Sequence, residues 1–152
     1  MIDGLSIRGA VPTDAVRLAE LSEVLGYPTS SEAVAERLER LLGRSEEAVL
    51  VAESPAGQVI GWIHGSEQVL LESGRRCEIL GLVVDPEYQG QGAGRRLVVA
   101  VEQWAVGRRL EQVAVRSNVL RAASHPFYER LGYTRSKTQH AYRKSLSAEG
   151  AV

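Results

Sequence analysis

A run of alternating glycines is the feature of this sequence whose residue types and spacing most clearly indicate chemistry. Residues 89–95 read Gln-Gly-Gln-Gly-Ala-Gly-Arg and join a predicted strand to a predicted helix. Glycines let several backbone N–H groups point into one concavity, and the amino end of a helix adds partial positive charge. The run therefore predicts a site for a pyrophosphate group, where Arg95 and Arg96 could also meet a phosphate.

Two common phosphate-binding motifs do not fit this run. A P-loop has Gly-Lys-Ser/Thr after its glycines, whereas here Gly94 is followed by Arg95 and Arg96. A dinucleotide-binding fingerprint has the spacing G-x-G-x-x-G near the start of a βαβ unit, whereas these glycines alternate and lie in the middle of the chain. A turn that merely joins a strand to a helix remains the alternative, although three alternating glycines exceed what such a turn requires.

The elements that must position this loop follow from the hydrophobic periodicity of the chain. Apolar or alternating segments predict strands at 5–8, 48–52, 59–63, 77–84, 113–115, 133–135 and 140–143, with 68–71 as an extension of the third. Helical spacing predicts helices over 12–25, 30–42, 95–104 and 127–131. This order predicts an α/β fold of the mixed α+β kind, with a central twisted mixed sheet and helices on both faces.

Length and composition limit the classes of protein to which the chain can belong. Its 152 residues fit a single domain, predicted over residues 1–146, followed by a disordered tail at 147–152. The formal net charge of −1 provides no general attraction to nucleic acid or to an anionic membrane. No apolar segment reaches the roughly 20 residues that span a bilayer. Neither nucleic acid nor a membrane is therefore an expected partner.

The cysteine and histidine residues indicate a reducing compartment and no metal. Cys77 has no second cysteine to pair with, and the N-terminus lacks the pattern of a signal peptide, so a cytoplasmic location is expected. His64, His125 and His140 lack the spacing of metal ligands, so no metal is expected. Apart from Arg75 and Arg76, no His or basic residue is placed by sequence to lower the pKa of Cys77, which disfavours a covalent acyl-enzyme on this residue.

Two segments of the chain carry a resemblance to a known family. Gln89, Gly92 and Gly94 satisfy the pattern Q/R-x-x-G-x-G/A, and residues 82–94 resemble the coenzyme A signature of the GNAT N-acetyltransferase superfamily. Residues 121–133 resemble the later R-x-x-A-H-x-F-Y-E-x-x-G-F/Y motif of the same superfamily. The order of the predicted elements is also similar to that of the superfamily along most of the chain.

The resemblance implies a GNAT-like acyl-CoA N-acyltransferase fold, acetyl-CoA as co-substrate, and direct transfer of acetyl to a primary amine of a small molecule in a ternary complex. It further implies that the fourth strand pairs with the pantetheine arm and polarises the thioester carbonyl, while the glycine run holds the pyrophosphate. The residues that it assigns to the cofactor are Leu82, Val83, Val84, Gln89, Gly90, Gln91, Gly92, Ala93, Gly94, Arg95 and Asn118. Asn118 could equally be a turn residue.

The resemblance also implies two catalytic side chains. Tyr128 matches the tyrosine that protonates the departing thiolate in many members, which suits a phenol because its pKa is near ~10. Glu78 is the predicted base for the amine, since it is the charged residue within the apolar run 77–84. The alternatives are aromatic packing for Tyr128, an exposed strand end for Glu78, and His64 as the base. Pro126 is expected to delay or kink the helix that carries Tyr128.

Three functional hypotheses stay open at this point. The leading one is an acetyltransferase for a small amine, and the second is a non-catalytic acyl-CoA-binding sensor or interaction module. The third is a nucleotide-binding domain that prefers ATP or NAD. An aminoglycoside acceptor would require an acidic pocket, for which the sequence offers only scattered Glu67, Glu72 and Glu78. A homodimer is expected from the resemblance alone.

Overall fold

The structure, a computed structural model, describes residues 3–116 and 124–147 of the chain. The chain divides into two compact units, Met1–Arg116 and Ser117–Val152. Within the described residues, the first unit contains a five-stranded sheet with three α-helices, and the second contains one short α-helix.

The strands of the sheet lie side by side in chain order. They are β1 (Ser6–Gly9), β2 (Glu47–Glu53), β3 (Val59–Leu70), β4 (Gly74–Val84) and β5 (Val113–Val115). Neighbouring strands from β1 to β4 are antiparallel, whereas β4 and β5 are parallel and are joined by a crossover helix. The sheet is therefore mixed, as the sequence predicts.

The helices begin close to where the sequence places them. They are α1 (Ala15–Val24), α2 (Ser31–Leu42), α3 (Ala93–Gly107) and α4 (Ser124–Arg130), with short 3-10 turns at Pro12–Asp14 and Pro86–Tyr88. The start of α2 is defined by Ser30, whose Oγ accepts a hydrogen bond of 3.1 Å from Ala33 N. This is the usual N-cap interaction, and it satisfies one of the free amides of the first turn.

Two glycines of β3 identify the face of the sheet that α3 covers. A Cβ atom on Gly61 would lie 3.3 Å from Leu97 Cδ1, and one on Gly65 would lie 2.8 Å from Val101 Cγ1. Because side chains alternate along a strand, Trp62 points to the opposite face, where it packs with residues of α1 and α2. We call these the α3 face and the α1/α2 face. Helices on both faces confirm the predicted layering.

The α1/α2 face is apolar where the two helices cover it. Its core includes the buried residues Leu18, Leu21, Leu38, Val49, Val51 and Val83. Leu18 and Leu21 are three residues apart and so lie on one side of α1. Burying an aliphatic side chain of this size contributes about 1.5–3 kcal/mol to folding. This cluster therefore anchors both helices on the strands that carry the candidate site.

The two strands predicted at 133–135 and 140–143 are wrong. Residues 133–146 form neither helix nor strand, and Tyr142 is 92% exposed. A strand requires a partner for its backbone and usually buries one of its faces, whereas this apolar side chain faces solvent. The alternation in this segment is too short to distinguish a strand from an irregular chain. From residue 148 onward, the predicted tail lies outside the described residues.

The proline in the second family segment is accommodated without breaking the helix. α4 begins at Ser124, so Pro126 is the third residue of the helix and lies in its first turn. The backbone N–H groups of a first turn have no acceptor within the helix, so a proline removes no hydrogen bond there. The helix therefore starts upstream of the predicted range 127–131 and ends at Arg130.

Candidate active site

The last part of β4 has an edge with no neighbouring strand among the described residues. β4 pairs with β5 over Cys77–Ile79, whereas its pairing with β3 continues to Val84. An unpaired edge presents backbone donors and acceptors that can pair with an extended ligand. The predicted pantetheine-binding residues lie in this stretch: Leu82, Val83 and Val84.

Two glycines in the left-handed conformation shape the loop that follows β4. Gly90 has a φ of 78° and Gly92 has a φ of 90°, a region in which residues with a side chain are strained. Gln89 Nε2 donates a hydrogen bond of 3.3 Å to Val84 O and so ties the loop to the end of the strand. The loop therefore needs glycine at these positions for its shape.

The first turn of α3 offers free amides at the end of this loop. The helical hydrogen bonding begins from Arg96 N to Gly92 O, at 3.1 Å. The N–H groups of Ala93, Gly94 and Arg95 precede it and so have no acceptor within the helix. Together with the helix dipole, these groups can bind a pyrophosphate. The predicted loop residues therefore lie together between the end of β4 and the first turn of α3.

The two arginines of the loop differ in their surroundings. The Arg95 side chain is exposed at the first turn of α3. Arg96 is half-buried and donates a hydrogen bond through Nη1 to Leu5 O, which ties α3 to the chain just before β1. Arg96 thus has a structural partner that the sequence did not predict, and Arg95 is the freer of the two to meet a phosphate.

β4 contains a bulge next to its open edge. Gly81 pairs with His64 and Ile79 pairs with the next residue of β3, Gly65, so Leu80 is an extra residue without a counterpart. A bulge interrupts the ladder and bends the strand locally. The Leu80 side chain is 52% exposed. The distortion lies where β4 stops pairing with β5.

A row of polar residues crosses three strands on the α1/α2 face, beyond the apolar area. Glu47 of β2 pairs with Ser66 of β3, and Ser66 pairs with Glu78 of β4. Since adjacent strands are about 4.8 Å apart, the backbones of the two glutamates are about 10 Å apart. His64 lies one row closer to the helices, between Val49 and Gly81. We use the name polar row for Glu47, Ser66 and Glu78 together with the neighbouring His64.

Hydrogen bonds hold three members of the polar row in one arrangement. Glu47 Oε1 lies 2.7 Å from His64 Nε2, and Glu47 Oε2 accepts a hydrogen bond of 2.7 Å from Ser66 Oγ. Gln68 Nε2 in turn donates to Ser66 Oγ at 2.9 Å. The Glu47 side chain is 8% exposed, so both of its oxygens are used within the protein. The carboxylate is therefore fixed by its partners.

Glu78 is flanked by two arginines. Its Oε1 lies 3.4 Å from Arg116 Nε, and its Oε2 lies 3.9 Å from Arg76 Nη2. The Glu78 side chain is 10% exposed, whereas that of Arg116 is 79% exposed. The alternative of an exposed strand end for Glu78 therefore does not hold. The carboxylate is buried within a partly neutralising pair of guanidinium groups.

Glu47 and Ser66 were not recognised from the sequence as residues of this site. Glu47 was placed before the predicted strand, because a charge at the end of an apolar run resembles loop. Its position opposite Ser66 depends on strand register, which sequence patterns do not specify at strand ends. Glu67, by contrast, binds Arg75 at 3.0 Å and Arg108 at 2.9 Å, so it is not part of the polar row.

Cys77 lies in an apolar environment on the α3 face. Cys77 is fully buried, and a Cβ atom placed on Gly65 would lie 3.7 Å from Cys77 Sγ. Burial raises the pKa of the Cys77 thiol to about 11. A thiol is a nucleophile only as the thiolate, so this environment disfavours an acyl-cysteine intermediate.

We expect Cys77 to resist alkylation in the native protein. With iodoacetamide at pH 8, modification detected by mass spectrometry should be slow in buffer and rapid in guanidinium chloride, because only unfolding exposes the thiol and restores its ordinary pKa. Rapid modification of the folded protein would contradict the buried environment of Cys77.

The second unit supplies the remaining predicted residues. Tyr128 lies in α4, where its ring makes edge-to-face contacts with Phe127 at 5.1 Å and with Tyr133 at 5.8 Å between centroids. Aromatic packing therefore accompanies any chemical role of Tyr128. Asn118 lies outside the described residues.

Within residues 3–116 and 124–147, no group of three or more His, Cys, Asp or Glu side chains is arranged to hold a metal ion. Among the same residues, no helix is both long and apolar enough to cross a bilayer.

Comparison with known proteins shows the family to which the chain belongs. Residues 15–133 match the family model described as the acetyltransferase (GNAT) family. This match spans most of the chain. The chain therefore belongs to the GNAT acetyltransferase family, and it is an acyltransferase.

Three similar proteins illustrate this membership. The chain is 27% identical over 145 residues to an aminoglycoside N(6')-acetyltransferase type 1 of Stenotrophomonas maltophilia, covering 93% of this chain and 94% of that protein. It is 30% identical over 150 residues to a mycothiol acetyltransferase of Amycolatopsis mediterranei (strain U-32), covering 92% of this chain and 50% of that protein.

The third is a solved structure, the aminoglycoside acetyltransferase AAC(6')-Iy in complex with a bisubstrate analogue of coenzyme A and acetylneamine. It superposes with a TM-score of 0.84 at 20% identity, covering 94% of this chain and 99% of that chain. At this identity the likeness shows the fold alone.

Proposed function

We propose that this chain transfers an acetyl group from acetyl-CoA to a primary amine of a small molecule, directly within a ternary complex. The observation that carries the proposal is that one strand, β4, has both an open edge and a polar face. Residues 80–84 have an open edge that leads into the glycine loop, and the α1/α2 face of the same strand carries Glu78 in the polar row. One strand thus offers a place for the thioester and a polar surface for the acceptor.

The cofactor half of the proposal uses backbone groups. The pantetheine arm would extend β4 as an added strand, and an N–H group of Val83 or Val84 would polarise the thioester carbonyl. The glycine loop would hold the pyrophosphate, with Arg95 beside it. The residues proposed to bind acetyl-CoA are Leu82, Val83, Val84, Gln89, Gly90, Gln91, Gly92, Ala93, Gly94, Arg95 and Asn118. The proposal requires no metal.

The acceptor half uses the polar row. Glu78 would attract the ammonium form of the acceptor and help to remove its proton, since a primary amine with a pKa near ~10 arrives charged at neutral pH. The relatives named aminoglycoside N(6')-acetyltransferases support an acceptor with several amino groups, and we propose an acceptor of that type.

The chemical step would proceed without an acyl-enzyme. The lone pair of the neutral amine attacks the thioester carbonyl carbon, the C–N bond forms, and the C–S bond breaks. The sulfur leaves with the electron pair and takes a proton from the Tyr128 hydroxyl, which a phenol can supply to a thiolate. The nitrogen releases its second proton to solvent, and Tyr128 regains a proton from solvent.

Three broader features complete the proposal. Residues 1–146 would act as one acetyltransferase domain, the protein would work in the cytoplasm, and it would form a homodimer. Size-exclusion chromatography with light scattering tests the dimer, since a single peak at the mass of one chain would contradict it.

The first experiment is a calorimetric titration of the protein with acetyl-CoA, with ATP and NAD as controls, followed by mass spectrometry of an amine panel that includes aminoglycosides. We expect selective binding of acetyl-CoA and a gain of one acetyl group on at least one amine. Binding without acetylation of any amine would favour the alternative, a non-catalytic acyl-CoA sensor. Absence of acetyl-CoA binding by folded protein would overturn both.

A further inference from the structure

We propose that His64, oriented by Glu47, accepts the proton that the acceptor amine loses. His64 would then be the general base, and Glu47 would be a positioning residue. This inference rests on the proposed function and deepens it by revising one assignment. His64 takes over the proton transfer that was given to Glu78, and Glu78 keeps the attraction of the charged amine.

The contact between Glu47 and His64 defines the state of the imidazole. An ionised carboxylate can only accept hydrogen bonds, so the 2.7 Å contact requires a hydrogen on His64 Nε2. The lone pair of the neutral ring then lies on Nδ1, and no hydrogen bond joins Nδ1 to a described residue. A carboxylate in this position also stabilises the imidazolium that forms when Nδ1 accepts a proton.

Glu47 is itself held in place. Ser66 Oγ occupies its second oxygen at 2.7 Å, and Gln68 fixes Ser66 from the other side at 2.9 Å. Because Glu47 is held in this way, it orients the imidazole that is hydrogen-bonded to it. Carboxylates that are hydrogen-bonded to a metal-bound histidine orient its ring in the same manner. The His64 side chain is 19% exposed, so it is held by the protein and still open to a ligand.

His64 pairs with a residue of the strand that carries the proposed thioester site. Its partner on β4 is Gly81, which follows the bulge residue Leu80 and lies two residues before Val83. Gly81 has no side chain, and a Cβ atom there would lie 2.8 Å from the Trp62 ring. Directly paired residues of antiparallel strands are about 5 Å apart. The imidazole therefore projects from β3, one strand in from the open edge and on the face that carries Glu78.

Glu78 is less suited to take the proton than His64. Its carboxylate is already paired with two guanidinium groups, at 3.4 Å from Arg116 and 3.9 Å from Arg76. His64 has a carboxylate beside it instead, and Ser66 and Gln68 of the same strand are neutral. On the same face, Arg76 and Arg116 are paired with Glu78.

The helices packed on the sheet place their recorded charge pairs elsewhere. In α1, Arg17 binds Glu20 at 3.1 Å and Asp85 at 2.6 Å. Asp85 directly follows the last residue of β4, Val84. In α2, Arg40 binds Glu36 at 3.1 Å, and both side chains are mostly exposed. Neither pair opposes the formation of an imidazolium at His64.

The proton balance is complete with these groups. The ammonium R–NH₃⁺ gives one proton to His64 Nδ1, and the free amine attacks the carbonyl carbon. When the C–S bond breaks, the nitrogen loses its second proton to solvent, while the sulfur is protonated by Tyr128, which is reprotonated from solvent. His64 returns its proton to solvent. The net products are the amide, coenzyme A and one proton.

The test compares H64N and E47Q with the control E46Q, in which the neighbouring exposed glutamate is changed. At pH 7, we expect kcat/KM for the amine to fall about 10²-fold in H64N and about 10-fold in E47Q, with the Kd for acetyl-CoA unchanged. E46Q should behave as the parent. E47D, which keeps the carboxylate, should recover part of the loss. Circular dichroism verifies that each variant is folded.

Two further readouts separate proton transfer from a structural effect. Near pH 10, about half of the acceptor is already the free amine, so the defects of H64N and E47Q should shrink. Nitrogen-15 NMR of the histidines should find neutral His64 protonated on Nε2 in the parent and a mixture of tautomers in E47Q.

Each adverse result has a separate meaning. If the parent acetylates amines and H64N is equally active at pH 7, the inference is overturned while the proposed function stands. A defect in H64N that stays constant up to pH 10 would also overturn it. If His64 is protonated on Nδ1 in the parent, Glu47 does not orient it. If the parent binds acetyl-CoA and acetylates no amine, the proposed function fails, and the inference fails with it.

Discussion

Replacing Tyr128 with Phe is expected to lower kcat for acetyl transfer by roughly 10²–10⁴-fold, the range for loss of a general acid. The substitution removes the hydroxyl and keeps the ring, so the edge-to-face contacts with Phe127 and Tyr133 can persist. The Kd for acetyl-CoA should be unchanged, since the proton is needed only when the C–S bond breaks. Steady-state kinetics and calorimetry measure the two quantities.

The matched control for this variant is Tyr133→Phe. Tyr133 belongs to the same aromatic group and lies just after the end of α4, yet it is not proposed to touch the thiolate. Its variant should retain kcat within about 3-fold. If kcat fell equally in the two variants, the loss would come from disturbed aromatic packing and not from the missing proton of Tyr128. An unchanged kcat in Tyr128→Phe would reject the proposed acid outright.

Replacing Gly92 with Val is expected to weaken the binding of acetyl-CoA by roughly 100-fold. Gly92 has a φ of 90° just before α3, and a β-branched residue is strongly strained at positive φ. Such strain costs about 1–3 kcal/mol, and a 100-fold loss corresponds to about 2.7 kcal/mol. Relaxation of the loop would turn the free amides of the first turn away from the pyrophosphate. Calorimetric titration with acetyl-CoA measures the change.

Gly74→Val provides the control for backbone strain. Gly74 has a φ of 82° and lies in the β3–β4 turn, at the opposite end of β4 from the glycine loop. Both variants should lose stability to thermal unfolding, whereas only Gly92→Val should lose affinity for acetyl-CoA. If the two variants bind acetyl-CoA equally well, the glycine loop does not hold the cofactor.

The parts of the fold that were predictable are those encoded by local pattern. The glycine run could be recognised because left-handed backbone and free amides require glycine at specific positions, and Gly90 and Gly92 have this conformation. Helix α2 was predictable because Ser30 is an N-cap residue in front of an apolar periodicity. The apolar run that ends at Val84 is β4, the strand between β3 and β5.

The parts that were missed depend on contacts between distant segments. Glu47, Ser66 and Glu78 share a row because of strand register, and the sequence distances between them do not indicate it. Arg96 meets Leu5 O, which lies 91 residues away in the chain. The short alternation around Tyr142 imitated a strand although its side chain is exposed. Local pattern carries no information on any of these partners.

The bulge at Leu80 means that β4 can in principle adopt two hydrogen-bonding ladders. If Leu80 were taken into the ladder, every residue before it would slip by one, and Cys77 and Glu78 would exchange faces. The carboxylate would then be pressed against the apolar side of α3, which is unfavourable for an unpaired charge. Glu78 therefore helps to keep the strand in its bulged form as well as placing a carboxylate on the α1/α2 face. An apolar replacement would alter both properties at once, so Glu78→Gln is the substitution that isolates the charge.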